Sequence, residues 1–202
     1  MKYVDDDIIN SLNDDNMMIY YKNSASVKKK INILKNILEK NTIDVEIRNN
    51  IIHDYMREII PAGTKGKLKG TRFNLIVRDI IISLHLDENR FTIRFEKQCK
   101  HLTTSEIPDW FIYDKTTNKT LIGMNQLDFW SGGQQLNRGT KYLINNPINT
   151  EKSRMMCVIC NKIILKSENK KFILFNIGFS NHTLCYPRQL HKAIKKYFNV
   201  AQ

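Results

Sequence analysis

The chain has 202 residues, 42% of them hydrophobic and 26% charged, with a net charge of +12. That is enough for one domain with a substantial core and has the composition of an ordinary globular protein. The longest apolar runs, such as Ile80-Ile81-Ile82, are far too short to span a bilayer, and the acidic start (Asp5, Asp6, Asp7) does not read as a signal peptide. Four cysteines are too few for a disulfide scaffold. These features lead us to expect an intracellular, cytoplasmic protein, or one of the host-cell cytoplasm if its source is viral, with no membrane attachment. Residues 131–202 carry twelve basic and two acidic side chains, a field that attracts polyanions. Nucleic acid is the first partner to consider, an anionic surface the second, and a merely solvated basic face the third.

Apolar positions 27, 31, 34 and 38, preceded by Ser24 and Ser26, predict a helix over Val27–Leu38. A second helix is expected over Val45–Ile60, stopped by Pro61. The stretch "IPAGTKGKLKGTRFN", residues 60–74, reads as a basic glycine-rich loop in which Lys65, Lys67, Lys69 and Arg72 could meet phosphate. It is equally readable as a plain connection, and it lacks the ending of a Walker loop. An apolar helix then covers Phe73–Leu86. From Arg90 the period becomes two: Phe91, Ile93 and Phe95 alternate with polar residues in a half-buried strand. Two further strands, Pro108–Tyr113 and Thr120–Phe129, flank the hairpin turn Thr116-Thr117-Asn118-Lys119. A helix over Gln134–Ile144, strands over Met155–Ile164 and Lys171–Gly178, and a basic amphipathic helix over Pro187–Phe198 complete the order. The fold class is therefore α/β or α+β, with a mixed central sheet flanked by helices. Residues 1–60 form an N-terminal helical region and 61–202 the core.

Hydrolysis of a phosphodiester calls for a divalent cation held by hard oxygen ligands. A hairpin brings such ligands together, because opposed residues lie about 5 Å apart on one face. With the turn centred on Thr117-Asn118, Asp109 falls opposite Gln126, and Asp128 follows on the same face. On that arithmetic Asp109 and Asp128 can share a magnesium ion, with Gln126 beside them.

The phrases "EIPDW" and "NQLDFWSGGQQLNRGTKYL", with the helix–strand–hairpin–helix–strand order around them, resemble the PD-(D/E)xK nuclease superfamily and, within it, type II restriction endonucleases. The resemblance covers roughly residues 60–165 and implies a restriction-endonuclease-like core, with Asp109 as a metal ligand. The family's acid-x-lysine should follow on the next strand. This chain instead has Gly123-Met124-Asn125 or Met124-Asn125-Gln126, depending on register, and neither supplies an acid or a lysine. Glutamine or asparagine could hold the attacking water without lysine's charge. The missing acid would come from Asp128, then Glu106, then Glu96. The bland readings are a helix cap or surface charge for Asp128 and an exposed strand position for Glu96. Gln134, Gln135, Asn137, Arg138 and Lys141 crowd the segment after Gly132-Gly133 with groups that read base edges and take phosphate.

A rival centre is Cys157 and Cys160 with His182 and Cys185, two ligand pairs of zinc-like spacing. Against it, Cys157 and Cys160 lie in an apolar strand, where small buried hydrophobes are the simpler reading.

These readings predict a magnesium-dependent, restriction-type endonuclease that cuts double-stranded DNA at a short site, and the resemblance implies that it leaves a 5′-phosphate and a 3′-hydroxyl. A homodimer is implied by cutting two strands with one site per chain. The alternatives are a catalytically inert DNA-binding relative and a zinc-stapled nucleic-acid-binding protein. A composition rich in lysine, isoleucine and asparagine fits an AT-rich genome, bacterial or viral.

Overall fold

A computed structural model of the chain describes residues 6–102, 105–127, 140–144, 152–160 and 170–200. The chain divides into two compact units, Asn10–Arg72 and Phe73–Gln202, the latter including the first nine residues. Among the described residues, no helix is long and apolar enough to cross a membrane.

The smaller unit is helical. After α1 (Asp6–Ser11), α2 (Asp14–Asn23) starts at Asn13, whose side chain accepts from the Asn16 N–H at 2.8 Å. Helix α3 (Ala25–Lys40) contains the predicted Val27–Leu38 segment and buries Val27 and Leu38 at its two ends. The helix expected over Val45–Ile60 is two, α4 (Val45–Asp54) and α5 (Met56–Ile59), because Tyr55 leaves helical geometry between them. Met17, Tyr21, Ile52, Met56 and Ile60 are also buried.

The expected loop over 60–74 is instead helical. Helix α6 runs over Ala62–Ile82, directly after Pro61, and tolerates Gly63, Gly66 and Gly70 although each costs about 1 kcal/mol relative to alanine. The lysine spacing shows one compensation. Lys65 and Lys69, one helical turn apart, both reach Asp14, at 3.3 and 2.7 Å, and Tyr21 donates its hydroxyl to the same carboxylate at 3.1 Å. Arg72 lies over the Tyr20 ring at 5.7 Å, and Lys67 is exposed.

The hydrogen bond from Lys69 holds the Asp14 carboxyl down to about 2, against the opposing effect of burial, with further help from Lys69's charge, Lys65 and Tyr21. A carboxyl depressed in the folded state stabilises above its unfolded pKa, near 3.8. That contribution should disappear as pH falls from there through about 2. Asp14→Asn should remove this part of the acid dependence in urea titrations at pH 2.5 and pH 6; an unchanged difference between the two pH values would count against the assignment.

In the larger unit the described strands form one sheet of order β1-β2-β3-β4-β5. These are β1 (Phe91–Phe95), β2 (Trp110–Asp114), β3 (Lys119–Leu127), β4 (Ser153–Cys160) and β5 (Leu184–Cys185). The first three form an antiparallel meander, whereas β3–β4 and β4–β5 are parallel, so the sheet is mixed. Helices flank it, giving an α+β fold. Its core holds Ile122, Met124, Met155, Cys157 and Ile159 from the middle strands, with Tyr142 and Leu143 from a π-helix, Thr140–Ile144.

The strand expected over Lys171–Gly178 is instead α7 (Lys170–Ser180). Its run Phe172–Phe179 is apolar at nearly every position, which periodicity cannot assign. The structure buries Leu174, Phe175 and Gly178, a helical stripe. An added Cβ at Gly178 would sit 2.7 Å from the Leu184 Cβ, so the close approach of α7 and β5 needs glycine there. Helix α8 (Pro187–Phe198) matches the predicted range and buries Leu190, Ile194 and Phe198, leaving Lys192 and Lys196 exposed.

Candidate active site

Asp109 sits at the entrance of β2, after the turn-restricting Pro108, with its backbone clamped between two strands. Its N–H donates to the Gly123 carbonyl at 3.1 Å, and its carbonyl accepts from the Glu96 N–H at 3.0 Å. The side chain is fixed as firmly. Oδ1 accepts from the Asn74 amide of α6 at 2.8 Å, and Oδ2 from the Asn125 backbone N–H of β3 at 2.6 Å. Asn125 in turn donates its amide to Asn74 Oδ1 at 3.1 Å and accepts from the Trp110 indole N–H at 3.1 Å. Asp109, Asn74, Asn125 and Trp110 thus form one connected polar network around a single half-buried carboxylate. With nitrogen facing Asp109 and oxygen facing Asn125, the Asn74 amide has one consistent orientation.

The hairpin register differs from the expected one by two residues. Asp114 pairs with Lys119 and Trp110 with Gly123, so the loop is Lys115–Asn118 and its centre lies one residue earlier than Thr117-Asn118. Extended by one residue, this register sets Asp109 against Met124, not Gln126. Gln126 is half-buried farther along β3, paired in parallel with Ile159 of β4.

The same register sets Gly123 against Trp110, one residue along from Asp109. Gly123 faces the Trp110 indole so closely that an added Cβ would lie 1.8 Å from Trp110 Cε2. The ring occupies the place where a side chain at 123 would begin. Trp110 is 1% exposed, consistent with a core tryptophan.

Glu106, three residues before Asp109, makes different contacts. Its Oε2 accepts from Lys141 Nζ at 2.8 Å and from the Tyr142 hydroxyl at 2.6 Å, both from the π-helix. Glu96 is exposed just beyond β1, with φ at 49°. Asp128, Gln134, Gln135, Asn137, Arg138 and Trp130 lie outside the described residues.

Magnesium is commonly held by only one or two carboxylates, with waters and substrate phosphate oxygens completing the shell. Asp109 fits that requirement: it is a hard oxygen ligand, half-exposed and held in place. A carboxylate offers roughly four lone-pair directions, so accepting these N–H groups is compatible with holding a cation. For the zinc alternative, Cys157, Cys160 and Cys185 are buried, and His182 is exposed with φ at 56°. Burial pushes the Cys157 thiol up, helped by the nearby Cys185 and Asp109, and burial alone pushes Cys185 up. These are the protonated, inert thiols expected of core residues. Among the described residues, no group of three or more histidine, cysteine or acidic side chains converges to hold a metal ion.

Sequence reasoning named Asn125 only as part of a triplet whose asparagine could hold water, and did not single out Asn74. The available signal was local: each is a polar residue interrupting an apolar run, "RFNLIV" and "IGMNQL".

No family model matches the chain, and no curated protein matches it. Among solved structures, a Vibrio cholerae protein, VC1899, aligns over 98% of this chain at 12% identity and a TM-score of 0.42. Can2 from Sulfobacillus thermosulfidooxidans, solved in complex with cyclic tetra-adenylate, aligns over 91% at 13% identity and a TM-score of 0.39. The chain covers 58% of the first protein and 52% of the second, little more than half the length of each.

Proposed function

We propose that the chain is a magnesium-dependent endonuclease of the restriction type that binds and hydrolyses double-stranded DNA, acting as a homodimer. The observation that carries this reading is the Asp109 network. Asn74 from α6, Trp110 from β2 and Asn125 from β3 form a network that holds the Asp109 carboxylate in a fixed orientation at the end of β2. The net charge of +12, with Lys192 and Lys196 exposed on α8, suits a polyanionic substrate.

In this reading Asp109 and Asp128 hold the ion and Gln126 orients water. When bound, the ion neutralises charge on the phosphoryl oxygens and makes a bound water easier to deprotonate. Asn74 and Asn125 keep the Asp109 carboxylate aimed, and Arg138, Gln134, Gln135 and Asn137 meet the DNA.

A second reading, an inert DNA-binding relative, is favoured by the Trp110 indole that takes the acid's place beside Gly123. Cleavage of unmethylated plasmid and viral DNA in magnesium and in manganese separates the two. The nuclease reading expects discrete bands from the wild type, lost in Asp109→Ala and in Asp128→Ala while DNA binding in EDTA persists. Binding without cleavage in either metal would leave the inert relative standing.

A further inference from the structure

We propose that Lys141, ion-paired to Glu106, is the cation that acts on the scissile phosphate; the inference deepens the nuclease reading and rests on it. Attack of water on a phosphodiester adds negative charge to the phosphoryl oxygens. A preorganised positive group in a partly dehydrated site lowers the barrier to that charge build-up. Strand β3 supplies no such group near Asp109, since Gly123, Met124, Asn125 and Gln126 are all uncharged. Lys141 reaches the region from a different element.

Three observations place it there. First, Glu106 lies three residues from Asp109, so the two backbones are at most about 11 Å apart even if the chain is fully extended. Lys141 Nζ is 2.8 Å from the Glu106 carboxylate. Second, the residues after Lys141 are anchored in the core of the larger unit. Tyr142 and Leu143 share a buried cluster with Met124 and Cys157. Met124 is the residue set against Asp109 across the hairpin, and the Cys157 thiol is raised partly by Asp109's charge. Third, Lys141 and Tyr142 are consecutive residues of a π-helix, and both bond the same carboxylate oxygen. The π-helical turn is rare and concentrates at functional sites. The side chains of Lys141 and Glu106 are about one-third exposed, at 36% and 34%, close enough to solvent to meet a backbone phosphate.

In the proposed step the water oxygen bonds to phosphorus and the bond from phosphorus to the 3′ oxygen breaks. The water's proton passes to solvent, and the departing 3′ oxygen takes a proton from solvent. Lys141 donates a hydrogen bond to a non-bridging phosphoryl oxygen throughout and gives up no proton. Glu106 and Tyr142 are positioning residues that set the direction of the ammonium group. A bare surface ion pair would contribute little to stability and nothing to the reaction.

The test is single-turnover cleavage of plasmid and viral DNA in magnesium at saturating protein, alongside DNA binding in EDTA and thermal melting. Lys141→Met should slow cleavage on the order of 100-fold, the loss typical of removing one transition-state donor, with binding retained. Lys141→Arg should recover part of the rate, and added ethylamine should raise the rate of Lys141→Ala, a response that a structural role does not give. Glu106→Gln should slow cleavage less than Lys141→Met does. Wild-type cleavage rates in Lys141→Met overturn the inference and leave the nuclease reading intact. So does a variant that only weakens binding and lowers the salt slope by about one, the mark of a simple phosphate contact. A wild type that cuts in neither magnesium nor manganese overturns both.

Discussion

Gly123→Ala should destabilise the larger unit by about 3 kcal/mol, the upper end of overpacking costs in a filled core. The added Cβ would stand 1.8 Å from Trp110 Cε2 and 2.2 Å from Cδ2 and Cζ2. The indole cannot yield cheaply, because it is 1% exposed and its N–H is committed to Asn125 Oδ1 at 3.1 Å. Displacing it would break that bond and leave the buried indole N–H without its acceptor, a penalty of about 1–3 kcal/mol in its own right. For a chain of this size the expected loss corresponds to a fall in melting temperature of roughly 6–12 °C. Thermal melting and guanidinium titration read it directly, and a Gly123→Ala melt equal to the wild type would disprove the packing argument. Trp110→Leu should be damaging alone, yet the double variant should lose less than the sum of the two singles, since the smaller side chain makes room for the methyl group. The same geometry bars an acidic side chain at position 123 of β3.

The strands and helices that one period describes were readable before the fold was known. Phe91–Phe95 alternates cleanly, and α8 carries its apolar residues at helical spacing from Leu190 to Phe198. The two misread elements share a cause: decisive partners remote in sequence. Glycines at 63, 66 and 70 suggest a loop, until Lys65 and Lys69 are seen to meet Asp14 about fifty residues earlier. Residues 172–179 are so uniformly apolar that no period survives, and helix wins there through packing around Gly178 and Leu184. The Asp109 site shows the same division. Pro-Asp ahead of a hairpin drew attention to Asp109 itself. Its partners Asn74 and Asn125 lie 35 and 16 residues away, on elements whose facing surfaces only the fold defines. The register error came from centring the turn on Thr117-Asn118, whereas the true loop, Lys115–Asn118, closes under control of the Asp114 side chain.

That side chain gives the second large effect: Asp114→Ala should cost about 3 kcal/mol, the lower end of the range for breaking a buried ion pair. Asp114 is fully buried, whereas Arg90 keeps 32% of its side chain in water, which is why the lower end applies. Oδ1 accepts from Arg90 Nε at 3.1 Å and from the Thr116 N–H at 3.0 Å; Oδ2 accepts from Arg90 Nη2 and from the Thr117 hydroxyl, each at 2.8 Å. Arg90 Nη2 also donates to the Phe198 carbonyl at 3.1 Å, so one carboxylate ties the start of β1, the hairpin loop and the end of α8 together. The hydrogen bond from Arg90, with help from Thr117, Thr116 and Arg90's charge, holds the carboxyl well below the usual range against the effect of burial. With the folded pKa depressed, its stabilisation is complete above the unfolded value near 3.9 and fades as pH falls below it. The wild type should therefore lose stability steadily from about pH 4 downward, and Asp114→Ala should lose much less over that interval. The remaining slope in the variant should come in part from Asp14, whose carboxyl titrates in the same window, so Asp14→Asn combined with Asp114→Ala should flatten the curve further. A variant that is destabilised but keeps the full wild-type slope would mean that Asp114 matters through packing and not through its charge. Because the hairpin register is set at this end, loosening it should also be felt at Asp109, at the opposite end of β2. On the nuclease reading, DNA cleavage by Asp114→Ala should then fall even at temperatures where the protein remains folded.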